Sequence, residues 1–492
     1  MSCLPPMRRR GAATLLTASL AASLMASLVL SGCAALAPAS HELPAPVRAA
    51  LQRAGLPEQS LGVVAFPLDA PGRGLRWRAD AAMQTGSTMK LVTAIVALDK
   101  LGPNQRGRTE LLATAAPQDG VLQGPLYLRG GADPELDWGV LHSLLRELRE
   151  QGLHELRGGI VVDRTRFQPA RPELGRPPFD EQPEFPYNVI PDALHLNGSL
   201  LDLALQSDGA GLVQARLSPA WPGLNVDASG LQPSDRACQD WEDDWLPPEV
   251  QDGQLRLRGA FPRHCSQRQA INVFDRQLLT GAALRALWQE LGGALPGEVG
   301  EGATPAHARL LASHSGRPLG ELMRGVMKRS DNALTRLTFL SLGAAHPQAA
   351  SFASTQEAAA DQVRQWLAEH RIAAPELVLE NGSGLSRTER IAPASLAAML
   401  AAAWRGPYAP ELLSSLPLAG VDGTLGRRLK GTPAEARARL KTGTLRNVVG
   451  LAGYVYDAGG RPWVMVALLN HDAAPEKGRP VLDALAAWLA QL

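Results

Sequence analysis

The run Ser87-Thr88-Met89-Lys90-Leu91-Val92-Thr93-Ala94-Ile95-Val96-Ala97-Leu98 sets a hydroxyl and an amine three positions apart at the head of an apolar segment. Leu91, Ala94, Ile95 and Leu98 recur at i, i+3, i+4 and i+7, the spacing of a buried amphipathic helix. Residues three apart on a helix share a face about one turn from each other, so the Lys90 amine reaches the Ser87 hydroxyl. This is the chain's only S-x-x-K, and two more motifs follow it, each also occurring once: Ser330-Asp331-Asn332 and Lys441-Thr442-Gly443. Of 49 basic residues only six are lysine, at 90, 100, 328, 430, 441 and 477, yet two of those six stand in the motifs. Arginine is effectively always charged, whereas lysine can be driven to its neutral amine and act as a base.

The chemistry suited to these residues is acyl transfer. Lys90, held near other positive charge, gives up its proton and takes that of Ser87. Backbone N–H groups at a helix start favour a developing oxyanion. Ser330 and Asn332 project to one side of a tight loop, where Ser330 relays a proton to a leaving amine and Asn332 holds Lys90 and a substrate amide. Lys441 and Gly443, two apart on a strand, face the same way; Lys441 supplies positive field and Gly443 lets a peptide backbone lie close. Thr442 and Thr444 offer hydroxyls for a carboxylate. Singly, S-x-x-K and S-x-N are weak signals and usually mark surface helix or loop; together and in order they are specific.

The rest of the chain bounds this reading. At 492 residues it exceeds one compact core, and two to four domains are expected. A net charge of +1 gives no case for nucleic acid. Arg8-Arg9-Arg10 before the uncharged stretch 11–30 reads as the start of an export signal over 1–32. It ends in Leu30-Ser31-Gly32-Cys33, which resembles a bacterial lipobox and makes Cys33 a lipidation site; Ala34 after it then favours the outer membrane. Cleavage after Ala35-Leu36-Ala37 and an uncleaved membrane helix are the alternatives. In an exported chain the remaining pair, Cys238 and Cys265, defaults to a disulfide, and the scattered His and Cys give no metal-site spacing.

A linker over 33–46 leads into a discontinuous catalytic domain at 47–110 and 305–492. Between them, 111–304 carries Gly-Gly turns, a strand-like Ile160-Val161-Val162 and a Pro-rich passage from Pro169 to Pro186. It reads as β-rich inserted material forming two accessory domains. Helices are expected at Ala358–His370 and Ala394–Ala403. Three antiparallel strands, Arg437–Thr444, Val448–Tyr456 and Pro462–Leu469, then precede a last helix with Val481, Leu482, Leu485, Trp488 and Leu489 as its apolar stripe.

The wider sequence resembles the class C low-molecular-mass penicillin-binding proteins, the D-alanyl-D-alanine carboxypeptidase/endopeptidase family. The resemblance runs through 126–134 (LYLRGGADP), 158–163 (GGIVVD), 380–387 (ENGSGLSR), 419–425 (AGVDGTL) and 451–455 (LAGYV), and covers essentially the whole mature chain. It implies an α+β fold: a penicillin-binding/β-lactamase-like domain, an antiparallel sheet flanked by helices, with inserted β-rich domains between the first two motifs. It further implies Ser87 as nucleophile, Lys90 as base, Ser330, Asn332 and Lys441 as partners, and the amides of Ser87 and Thr444 as oxyanion hole. Asp422 and Asn381 enter as further candidate substrate contacts beside Thr442, Gly443 and Thr444. The implied substrate is the peptidoglycan stem peptide, the implied inhibitors β-lactams, the implied location the periplasm, and no cofactor is called for. One departure stands out: Thr335-Arg336 occupy the place where the resemblance leads one to expect Ala-Glu or Ala-Asp. A β-lactamase or a non-catalytic wall-binding lipoprotein are the competing readings; the long insertion and the intact motifs argue against them.

Overall fold

The computed structural model describes residues 39–492; the signal, Cys33 and the first part of the linker lie outside the described residues. The frame of the catalytic part is an antiparallel five-stranded sheet. Its edge strand Ala438–Leu445 pairs with Val448–Tyr456, which pairs with Pro462–Asn470. Leu61–Pro67 then lies against Pro462–Asn470, and Leu75–Trp77 closes the far side. Both faces are covered, so the inner strands read as nearly continuous apolar runs instead of alternating with polar residues.

Side chains still alternate between the two faces. Val64, Phe66, Val464, Val466 and Leu468 enter a core shared with helices Lys90–Lys100, Leu319–Arg329, Thr355–Glu369 and Pro393–Arg405. Val63, Ala65, Met465, Ala467 and Leu469 enter a second core with helices Ala45–Ala54 and Arg479–Leu489. The expected helix after Ser87 is therefore central: Leu91 through Leu98 are buried without a break.

The material between the first two motifs holds four more sheets, one of them only the two-stranded pair Val121–Leu122 and Glu155–Leu156. In the first, Arg108–Ala113 lies between Leu126–Gly131 and Arg309–Ser315, with Ile160–Asp163 and Val299–Glu301 beyond. The limits 111 and 304 drawn from sequence are too narrow at both ends, because they cut one of these strands and leave out another. Helices Trp138–Glu150 and Arg276–Glu290 share the core of this part, where the sequence reading placed none. Each starts at an aspartate, Asp137 and Asp275, whose carboxylate accepts N–H bonds from the first turn. Two smaller sheets, centred on Leu201–Ser207 and Gln254–Pro262, are nested between them, and Cys238 is bonded to Cys265 there.

The Pro-rich passage forms no strand; its Glu173 pairs with Arg276, which belongs to a buried ion cluster beside it. The Asp192 carboxylate accepts from Arg164 at 2.8 Å and lies 3.5 Å from Arg276, and all three side chains are buried. Burial pushes the Asp192 pKa up, but Arg276 and Arg164 outweigh it and hold the carboxyl below its ordinary value. A small apolar cluster, Ala132, Phe167 and Ala193 against Leu337 and Leu340, then seats this region on the helix Asn332–Ala344.

Candidate active site

Ser87 lies in a 3-10 turn, Gly86–Met89, that runs straight into the Lys90–Lys100 helix. The Lys90 Nζ lies 3.1 Å from Ser87 Oγ, 2.6 Å from Asn332 Oδ1 and 2.6 Å from the Ser383 carbonyl. A neutral amine has two N–H groups and one lone pair. Asn332 Oδ1 and the Ser383 carbonyl are acceptors only, so they take both N–H groups and leave the lone pair for the Ser87 proton. Asn332 is locked in this sense because its Nδ2 donates to the Tyr187 carbonyl at 3.0 Å.

Ser330 joins two helices. It ends Leu319–Arg329 in the left-handed region (φ 62°), and Asp331 caps the Asn332–Ala344 helix through the Leu334 N–H. A non-glycine residue there costs about 1–2 kcal/mol; the return is a hydroxyl placed 2.8 Å from Lys441 Nζ. Lys441 donates a second bond to the Thr442 carbonyl at 2.8 Å.

Both lysines are fully buried. Burial pulls Lys441 down to about 7. Lys90 falls well below the ordinary lysine value through burial first, then the charges of Lys441 and Arg336; Glu389 and Asp331 push the other way. The site therefore weakens the hold of Lys90 on its proton.

The edge strand carries its motif as its alternation requires. Lys441 and Gly443 point inward, while Thr442 and Thr444 point out. Thr442 Oγ1 donates to Thr424 Oγ1 at 2.8 Å. Gly443 has a different role from the one read off the sequence: a Cβ there would stand 2.4 Å from the Thr85 carbonyl and 3.1 Å from Ser87 N. Its bareness seats the Ser87 turn on the strand. A cleft of about 430 Å³ opens over Ser87, Asn332 and Thr444. Its other walls come from Phe179, Asp180 and Glu181 of the Pro-rich passage and Tyr187 just after it, from Gly384, Leu385 and Arg387 of the 380–387 stretch, and from Leu445 and Arg446.

Asn381 and Asp422 do not line this cleft. Asn381 Oδ1 accepts from Ser383 N and Oγ, and its Nδ2 donates to the Leu385 carbonyl. Asp422 is paired with Lys328 and accepts the Leu418 N–H at 2.9 Å. Both side chains are engaged in loop hydrogen bonds and, for Asp422, an ion pair. Arg336, the departure noted in sequence, is buried and donates to the carbonyls of Asn188, Val189 and Leu385.

A match over residues 43–492 to the D-Ala-D-Ala carboxypeptidase 3 (S13) family spans almost all the described residues. The chain belongs to that family. S13 enzymes are serine peptidases, and this chain is a serine D,D-peptidase of the low-molecular-mass penicillin-binding type. It is 29% identical over 98% of its length to a D-alanyl-D-alanine carboxypeptidase of Actinomadura sp. (strain R39), covering 91% of that protein. It is 27% identical to the D-alanyl-D-alanine carboxypeptidase DacB of Haemophilus influenzae over 84% of this chain and 86% of the relative. The crystal structure of penicillin binding protein 4 (dacB) from Haemophilus influenzae superposes with a TM-score of 0.75 at 24% identity, over 91% of this chain and 99% of that one, and shares the fold. A further structure of that protein holds a β-lactam. The S13 match does not favour a β-lactamase or a dead scaffold.

Proposed function

We propose that Ser87 is the nucleophile and Lys90 the general base of a D,D-peptidase acting on peptidoglycan stem peptides at D-Ala-D-Ala or at the D,D cross-link. The observation that carries this is the Lys90 amine, with both N–H groups taken by pure acceptors and its lone pair left for a serine hydroxyl 3.1 Å away. Ser87 Oγ attacks the carbonyl carbon of the penultimate D-alanine as its proton passes to Lys90. The oxyanion forms between the Ser87 and Thr444 amides, which belong to segments packed backbone to backbone. The C–N bond then breaks, and the leaving amine is protonated through Ser330, itself bonded to Lys441. Water then attacks the ester, passing its proton to Lys90; the acyl–Oγ bond breaks, the shortened peptide leaves as its acid, and Lys90 returns the proton to Ser87 Oγ. Thr442 and Thr444 face the side from which a substrate carboxylate arrives. A β-lactam follows the same path as far as the acyl-enzyme.

The leader and the Cys33 box support action in the periplasm from an outer-membrane lipid anchor, checked by the mass of the mature N-terminal peptide. For the chemistry, the purified protein is incubated with a penicillin and its intact mass and peptide map are read. An adduct on Ser87 that is absent in Ser87→Ala upholds the assignment. Adduct-free hydrolysis of the penicillin, or no reaction, overturns it.

A further inference from the structure

Glu389 is buried, and no cation pairs with it among the described residues. Its partners are backbone. Oε1 accepts the N–H groups of Glu380 (3.0 Å), Asn381 (2.8 Å) and Gly382 (2.6 Å), and Oε2 that of Gly384 (2.8 Å). A buried carboxylate without a counter-ion is costly; burial pushes the Glu389 pKa above its ordinary value, and the four backbone donors offset part of that push. A side-chain amide has one acceptor oxygen and would turn an N–H against one of these donors.

With its N–H groups gathered on Glu389, the turn presents its carbonyls outward. The Gly382 carbonyl accepts from Thr93 Oγ1 at 2.7 Å and the Ser383 carbonyl from Lys90 Nζ at 2.6 Å, both on the helix that carries the base. Gly384 then packs so closely that a Cβ would stand 1.9 Å from the Gly86 carbonyl, next to Ser87. One carboxylate thus sets the shape of a turn that touches the base and the nucleophile's turn, without touching either reacting group itself.

We propose that Glu389 is a positioning residue for acylation: it holds the 380–384 turn so that the Ser383 carbonyl fixes the Lys90 amine against Ser87. The inference rests on Lys90 acting as base. Charged groups bearing on Lys90 are Lys441, Arg336, Asp331 and Glu389. In Glu389→Gln the amide opposes the Gly384 N–H and one negative charge leaves the neighbourhood of Lys90.

The test is the penicillin acylation rate of the mature protein across pH. Glu389→Gln is expected to acylate Ser87 about 10- to 100-fold more slowly. Its acidic limb moves to lower pH, because Lys90 loses a charge that favours its ammonium. Glu389→Asp keeps the charge but shortens the reach; it is slowed with its limb in place. A Glu389→Gln protein that acylates at the parent rate, or one slowed equally at all pH with its limb unmoved, overturns the proposal. Should Glu389→Gln not fold, amide exchange in the parent decides: Gly382 and Gly384 protected as well as the sheet support it, exchange at exposed-loop rates overturns it. If the parent itself fails to label at Ser87, the catalytic assignment falls instead.

Discussion

A lysine with no exposed surface, held down to about 7 by burial, is a cost the fold carries for its chemistry, and Lys441 is such a residue. Unfolded, it would titrate near 10.4. Between those values the unfolded chain binds more protons than the folded one, so stability rises with pH from about 7 to about 10. Lys441→Met is therefore expected to be more stable than the parent at pH 7, by on the order of a few kcal/mol, with the gain shrinking toward pH 10. Unfolding midpoints across pH check this. The same substitution removes the largest positive charge acting on Lys90. Lys90 then holds its proton more tightly, and the acidic limb of penicillin acylation moves to higher pH, opposite to the shift expected of Glu389→Gln. A variant series showing both shifts in one direction would contradict Lys90 as the base.

Among the elements, the edge strand and the turn before the first catalytic helix form one unit, joined where Gly443 meets Thr85. Gly443→Ala places a methyl 2.4 Å from a backbone oxygen, which a flexible side chain cannot absorb. The strand and turn must part, with an expected loss of about 1–3 kcal/mol in stability and of about 100-fold or more in acylation, read by thermal unfolding and adduct formation. The three C-terminal strands and the helix after Ser87 were legible because their apolar patterns are long and bounded by turns. Leu61–Pro67 was not placed, since its partner Pro462–Asn470 lies at the other end of the chain and nothing local announces the pairing. The Trp138–Glu150 helix does carry a local signal, since Leu141, Leu144, Leu145 and Leu148 keep helical spacing behind an Asp cap. In the site, Ser87, Lys90, Ser330, Asn332 and Lys441 announced themselves by side-chain type. The carbonyls of Ser383 and Tyr187 had no such signature, because a backbone acceptor looks the same in every residue.

At the scale of the whole molecule, the inserted part builds a wall of the cleft, and its Tyr187 carbonyl fixes the orientation of Asn332. In the same inserted part, Asp192 lies between two buried guanidiniums. Asp192→Asn leaves Arg164 and Arg276 underpaired and is expected to cost about 3–5 kcal/mol in chemical unfolding. Because the carboxyl is held below its ordinary value, its contribution is complete above about pH 4 and is lost as pH falls through the depressed value. The parent should therefore lose more stability on acidification than Asp192→Asn does.

The pairing of Val63 with Ala467 also sets a clock. A chain made from its N-terminus has Leu61–Pro67 and Ser87 early, but the strands that complete their sheet come near the end. The intervening sheets draw their strands from a shorter stretch of chain and can form while synthesis continues. Until residue 470 has emerged, the strand that carries Gly443 lacks the full set of partners that seats it, and a product cut short before then is expected to be inactive. A wall-cutting activity that exists only in the finished molecule is one that cannot act along its own route of manufacture.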